Sequence, residues 1–208
     1  MRGVFVTGTD TGVGKTLVSA VLCRAWGADY FKPLQTGLAE EAGDTPTVTG
    51  LAGLTPDRVH PPVYALQAPL SPHAAAELEG VSLDATSLRL PQTERPLVVE
   101  GAGGVLVPVA ADCLMIDLIA RFGLSAVVVA RSTLGTINHT LLTLEALRRR
   151  GCAVAGVVMN GPRSPGNVAA VETFGRVRVL FEVHPLSAVT TASVAELEAR
   201  VPTLSALT

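Results

Sequence analysis

Short apolar runs punctuate this chain, most of them followed at once by a residue that carries chemistry. Val4-Phe5-Val6 opens the series, and Ala28-Asp29-Tyr30-Phe31 runs into Lys32. Pro96-Leu97-Val98-Val99 runs into Glu100, and Ser125-Ala126-Val127-Val128-Val129-Ala130 comes next. Val154-Ala155-Gly156-Val157-Val158-Met159 ends at Asn160, and Arg178-Val179-Leu180-Phe181 closes the set. Their length and β-branched content predict buried strands. Helix-compatible segments lie between them. Leu17 to Leu22 follows the first strand, and Gly135-Thr136-Ile137-Asn138-His139 begins a helix with Ile137, Leu141, Leu144 and Leu147 on one face. Arg148-Arg149-Arg150 suits the negative end of that helix, and Gly151 ends it. The alternation predicts an α/β fold with a mainly parallel sheet flanked by helices on both faces. Ligands of such sheets bind beyond the carboxyl ends of the strands. Lys15, Lys32, Glu100 and Asn160 are all expected just past predicted strands, converging on one site.

Between the first strand and the first helix stands Gly8-Thr9-Asp10-Thr11-Gly12-Val13-Gly14-Lys15-Thr16. Strand, glycine-rich loop, Gly-Lys-Thr and helix form a P-loop arrangement, although Thr9 stands where the usual spacing has glycine. Glycines let backbone N–H groups turn toward a phosphate, and the helix start adds its positive end. Lys15 is expected to bridge the β- and γ-phosphates, and the Thr16 hydroxyl to hold Mg²⁺.

Lys32-Pro33-Leu34-Gln35-Thr36-Gly37 puts a second cation at the same edge, although a solvated loop lysine fits its position equally well. Asp44 admits two readings, a helix N-cap or a carboxylate near a metal, and position alone favours the cap. Ser71-Pro72-His73 reads as a helix entry with a structural histidine. Glu100-Gly101-Ala102-Gly103-Gly104 is more pointed. A carboxylate ending an apolar strand is the second half of a P-loop site, holding Mg²⁺ or its water.

Composition narrows the class. The 208 residues are 48% hydrophobic and 16% charged, which suits a buried sheet and predicts a single P-loop domain over 1–208. A net charge of −2 gives no ground for nucleic acid as a partner. No apolar run reaches the length of a membrane span, and the chain opens on a strand where a signal peptide would stand. Cys23, Cys113 and Cys152 have no ligand spacing and read as reduced, structural cysteines, so a cytoplasmic location is expected.

Five ordered motifs carry a resemblance over roughly residues 1–186: Thr7 to Thr16, Lys32 to Gly37, Ser71-Pro72-His73, Glu100 to Gly104 and Gly135 to His139. Together they resemble dethiobiotin synthetase. That resemblance implies an ATP- and Mg²⁺-dependent cyclo-ligase that joins CO₂ to 7,8-diaminononanoate through a carbamate and a carbamic–phosphoric anhydride. It implies phosphate contacts at Gly12, Val13, Gly14, Lys15, Thr16 and Leu17, with Gly101, Ala102 and Gly103 passing close to the nucleotide. Lys32 and Lys15 become catalytic, Thr36 lies by the diamine, and Thr16, Asp44 and Glu100 form the metal shell. Asn160 and Gly161 would meet the adenine, with His184, Pro185 and Leu186 packed near it. Gly161 and His184-Pro185 depart from the family pattern there, so the base is less well defined than the phosphates. The resemblance further implies a homodimer with a shared site, where Gly135, Thr136, Ile137 and Asn138 of one subunit receive the substrate carboxylate of the other. The rival reading is a P-loop switch or partitioning ATPase acting through a protein partner. Such proteins carry an extra lysine five places before the P-loop lysine, and here that place is Asp10.

Overall fold

The computed structural model describes residues 2–207. In chain order the elements that build the molecule are β1 (Gly3–Gly8), α1 (Lys15–Trp26), β2 (Asp29–Phe31), α2 (Asp44–Ala52) and β3 (Val59–His60). Then come α3 (Pro72–Glu79), β4 (Leu97–Gly104), α4 (Met115–Phe122), β5 (Ser125–Arg131) and α5 (Thr136–Arg149). β6 (Val154–Asn160), α6 (Pro165–Gly175), β7 (Val179–Val183) and α7 (Thr191–Glu198) complete the series. The seven strands form one sheet in the order β7-β6-β5-β1-β4-β2-β3, and every pairing in it is parallel.

Alternation along the strands splits the core into two layers. Val4, Val6, Val98, Val127 and Val129 pack with Val18, Leu22, Val48 and Val194 of α1, α2 and α7. Phe5, Leu97, Val99 and Val128 pack with Ile116, Ile119, Leu144 and Val171 of α4, α5 and α6. Each such side chain, fully buried, is worth about 1.5–3 kcal/mol. A sheet apolar on both faces must be covered twice, as parallel sheets of this kind are, and the sequence predicts both features. Among the described residues no helix is long and apolar enough to cross a membrane.

The strand order places the site. After β1 the chain crosses to β2 on one side of the sheet, and after β4 it crosses to β5 on the other. The edge where those directions part is where such folds open a ligand crevice. β1 and β4 are neighbours, with Val6 opposite Glu100 and Gly8 opposite Gly104.

Three sequence expectations need correction. Glu100 does not follow its strand but lies within β4, which runs on to Gly104 because the neighbouring β1 continues to Gly8 and pairs with it. Likewise Asn160 is the last residue of β6. On α5 the buried face is Thr136, Thr140, Thr143, Leu144 and Leu147, while Ile137 and Leu141 are half-buried. The threonine hydroxyls find partners within the helix and at its start, so this face turns further round than the aliphatic pattern suggests.

Candidate active site

The loop between β1 and α1 is shaped by its glycines. Gly14 is the N-cap of α1 at φ 98°, a left-handed conformation that leaves the first helical N–H groups pointing outward. A Cβ on Gly14 would run into the Asn160 carboxamide, whose Nδ2 donates to the Val13 carbonyl at 2.8 Å. Across the loop, Arg131 Nη2 donates to Asp10 Oδ2 at 2.7 Å and to the Thr11 carbonyl at 3.2 Å. Lys15, the first residue of α1, is buried and donates to the Asp10 carbonyl at 3.1 Å. Burial pushes its ammonium below the ordinary lysine range, and the nearby charge of Lys32 pushes it further. An incoming anion would reverse both penalties.

Beside this loop lies a polar cluster gathered from distant segments. Lys32, buried at the end of β2, reaches Asp44 Oδ2 at 2.8 Å and Glu100 Oε1 at 3.2 Å. Its ammonium also donates to the Gly101 carbonyl at 3.2 Å. The Thr16 hydroxyl contacts Asp44 Oδ1 at 2.5 Å and Glu100 Oε1 at 3.2 Å. The Tyr30 hydroxyl donates to Glu100 Oε2 at 3.0 Å. Desolvation disfavours the charged form of Lys32, yet Glu100 and Asp44 outweigh it and raise its pKa. Asp44 mirrors this, its carboxyl held below the ordinary value by Lys32 and Thr16 against the effect of burial.

Asp44 is therefore not an N-cap. Gly43 occupies that position, and Gln35 supplies the missing acceptor, its Oε1 taking the Asp44 N–H at 2.9 Å. The Asp44 carboxylate is left to face the cluster. Thr16, Asp44 and Glu100 offer a hydroxyl and two carboxylates, an all-oxygen set suited to Mg²⁺ completed by phosphate oxygens and water. The donors fit the ion.

A cleft of about 720 Å³ opens over this floor and is lined by Gly12, Gly14, Lys15, Thr16, Lys32 and Thr36, among others. Asp44, Glu100, Ala102 and Gly103 also border it. Val13 is buried beneath, Leu17 packs against the core on α1, and the Gly101 carbonyl serves Lys32. Ser71 and Pro72, at the entry to α3, form part of the wall, while His73 is exposed with Nδ1 3.0 Å from the Ser71 hydroxyl.

The remaining residues singled out from the sequence lie off this lining. Asn160 is opposite Val183 in the register of β6 and β7, so Gly161 and His184-Pro185-Leu186 sit side by side at one end of the sheet. Gly161 donates its N–H to the Val183 carbonyl at 2.8 Å, and a Cβ there would meet Ser132 Oγ. That crowding accounts for glycine where a polar residue was expected. Among the described residues His184 Nδ1 is buried with no hydrogen-bond partner, Pro185 is exposed, and Leu186 packs on the core. Gly135 and Asn138 are exposed, Ile137 is half-buried, and the buried Thr136 hydroxyl donates to the Arg131 carbonyl. This α5 start does not line the cleft of its own chain.

Sequence reasoning missed Tyr30, Gln35 and Arg131 as parts of the site. Tyr30 and Arg131 sit in apolar strand runs, and their partners lie 70 and 121 positions away. Gln35 was visible as part of the Lys32 motif, but its capping role needs the fold of the following loop.

A family model described as an AAA domain matches residues 2–193. The chain is 59% identical over 197 residues to the ATP-dependent dethiobiotin synthetase BioD of Paramagnetospirillum magneticum, covering 95% of each protein. It is 47% identical over 190 residues to the protein of that name from Rhodopseudomonas palustris strain BisA53, covering 91% of this chain and 89% of the other. It is also 61% identical over 206 residues to the biotin biosynthesis bifunctional protein BioCD of Bordetella avium, covering 99% of this chain and 44% of that longer protein. Among solved structures, a ParA family ATPase from Chlorobium tepidum aligns with a TM-score of 0.51 at 8% identity, covering 95% of this chain and 97% of the other. Chloroplast FtsY from Physcomitrella patens aligns with a TM-score of 0.50 at 14% identity over 95% of this chain and 65% of its own. At such identities these two likenesses show the P-loop fold and nothing further.

Proposed function

This chain belongs to the dethiobiotin synthetase family, and we infer from its cleft how it performs that family's ATP-dependent ring closure in biotin biosynthesis. The observation that carries the reading is the buried Lys32 ammonium, clamped between Asp44 and Glu100 beside a P-loop lysine. Two fixed cations on one floor suit a reaction in which anionic charge builds between a phosphate and a second acid group.

The substrates are ATP, CO₂ and 7,8-diaminononanoate. One amine adds to CO₂ and loses a proton, giving a carbamate. A carbamate oxygen attacks the γ-phosphorus and displaces ADP, forming a carbamic–phosphoric anhydride. The second amine attacks the anhydride carbonyl, the urea ring closes, and phosphate leaves. No protein nucleophile is needed, so the chain's work is positioning and charge neutralisation.

The N–H groups from Gly12 to Leu17 cradle the phosphates, and Lys15 regains its charge preference as they enter. Lys32, kept protonated by its carboxylates, faces the carbamate and the transferring phosphoryl group. Thr36, on the cleft wall past Lys32, holds the diamine. Thr16, Asp44 and Glu100 hold Mg²⁺, which when bound neutralises charge on the phosphates. Asn160 and the His184-Pro185-Leu186 segment flank the adenine.

In this reading the cleft is completed by a second copy of the chain. Gly135 and Asn138 are exposed at the start of α5, away from the cleft of their own subunit, and the positive end of that helix suits the substrate carboxylate of a neighbour. Leu134 is fully exposed beside it, as an interface residue would be in an isolated chain. The protein works as a cytoplasmic homodimer.

The experiment is phosphate release with each component left out in turn. Release is expected to need ATP, Mg²⁺, CO₂ and the diamine together. Rapid hydrolysis indifferent to the diamine would favour the switch-type ATPase instead. The ion pair of Asp10 with Arg131, at the position where such ATPases carry a lysine, argues against that alternative.

A further inference from the structure

The two oxygens of Glu100 have separate duties. Oε1 faces the cleft, 3.2 Å from Thr16 Oγ1 and 3.2 Å from Lys32 Nζ. Oε2 points the other way and accepts the Tyr30 hydroxyl at 3.0 Å. Both residues are inside the protein, Tyr30 with no exposure and Glu100 with 1%. Parallel pairing puts Tyr30 opposite Val98, two residues before Glu100, so the phenol reaches along the sheet to meet the carboxylate. Tyr30 belongs to the same buried apolar cluster as Val4, Leu22 and Val98, a setting in which an unbonded phenol or carboxylate oxygen is costly.

A carboxylate at the end of a glutamate side chain can turn about its last bond. A donor fixed on one oxygen removes that freedom and commits the other to the cleft. We propose that Tyr30 is a positioning residue, which orients Glu100 so that its second oxygen is presented to the divalent cation bound with ATP. This rests on the reading of Glu100 as a cation ligand. Hydrogen bonds of this kind to a ligating carboxylate commonly control metal affinity.

The test uses Mn²⁺ as the probe, titrated onto the full chain saturated with a non-hydrolysable ATP analogue, with free Mn²⁺ read by electron paramagnetic resonance. Tyr30→Phe keeps the ring and removes the donor. It is expected to weaken Mn²⁺ on the order of tenfold, with analogue affinity in the absence of metal unchanged. Glu100→Gln is expected to weaken Mn²⁺ at least as much, and adding Tyr30→Phe to it should cost nothing more. A packing role alone would persist in that background. Unchanged Mn²⁺ affinity in Tyr30→Phe, with a loss in Glu100→Gln, overturns the positioning role and leaves the cation reading standing. Unchanged affinity in Glu100→Gln overturns both. Should Tyr30→Phe not fold, Tyr64→Phe leaves Tyr30 as the one remaining tyrosine of the two in the chain. Its ultraviolet difference absorption is expected to shift when Mn²⁺ joins the analogue complex, and a silent spectrum overturns the proposal.

Discussion

Lys32 and Asp44 meet at 2.8 Å, tying the end of β2 to the first residue of α2. Lys32 is buried and needs a counter-charge, and Asp44 would otherwise spend its carboxylate on its own helix. The contact converts what looks like a cap into part of the polar floor of the cleft.

Lys32→Ala is expected to lower turnover by about 2–4 kcal/mol of barrier, the usual cost of losing one oriented charge. ATP affinity should hold within a few-fold, since the P-loop is untouched. Steady-state kinetics beside equilibrium nucleotide binding checks this, and unchanged turnover would remove Lys32 from the chemistry.

Lys15→Ala should behave differently. Burial already disfavours the Lys15 ammonium in the nucleotide-free protein. Thermal unfolding without ATP is therefore expected to change little or to rise, while the stabilisation added by ATP is lost together with turnover. A large drop in the melting temperature of the free variant would contradict this.

The Lys32–Asp44 pair predicts a pH dependence of stability. The folded Asp44 pKa lies below its ordinary 3.8, so its contribution is present above about pH 3.8 and is lost as the pH falls below that. The folded Lys32 pKa lies above 10.5, so its contribution is full below pH 10.5 and is lost as the pH rises through the folded value. Asp44→Asn should flatten the acid side of the stability curve, measured by urea unfolding from pH 3 to pH 7.

Asn160 carries two assignments. Family resemblance gives it the adenine, yet its amide nitrogen braces the Val13 carbonyl. Asn160→Ala is expected to weaken ATP, GTP and inorganic triphosphate through the lost brace, by about 1 kcal/mol for one hydrogen bond, and ATP further through the lost adenine contact. Equal losses for all three would remove the adenine contact, and a loss confined to ATP would remove the brace.

Mixing two inactive variants, Lys32→Ala and Asn138→Asp, tests the shared site. Mixed dimers would place both lesions in one site and none in the other. After random exchange of equal amounts, about a quarter of all sites should work. Activity that stays at zero, with exchange shown separately, would mean that each subunit builds its site alone.

Much of this was legible in the sequence for a definable reason. Strands such as Val127-Val128-Val129 and the loop from Gly8 to Thr16 declare themselves locally, through apolar runs and glycine spacing. Glu100 stood out because it ends an apolar run, whereas the position of Lys32 left a solvated loop lysine equally open and only the family resemblance singled it out. What stayed hidden depends on register. Nothing within Ala28 to Phe31 tells which strand lies alongside, so the meeting of Tyr30 with Glu100 could not be read. The threonine face of α5 was hidden because hydroxyls that bond within a helix can be buried, which an aliphatic count overlooks.

Thr16, Asp44 and Glu100 come from three stretches of chain that meet only when β1 and β4 are paired and α2 has docked. A partly unfolded chain offers nucleotide no such place, so ATP binds the complete fold alone. Every tenfold of ATP above its dissociation constant then adds about 1.4 kcal/mol of native stability by mass action. In a cell rich in ATP, resistance to proteolysis becomes a readout of the nucleotide supply.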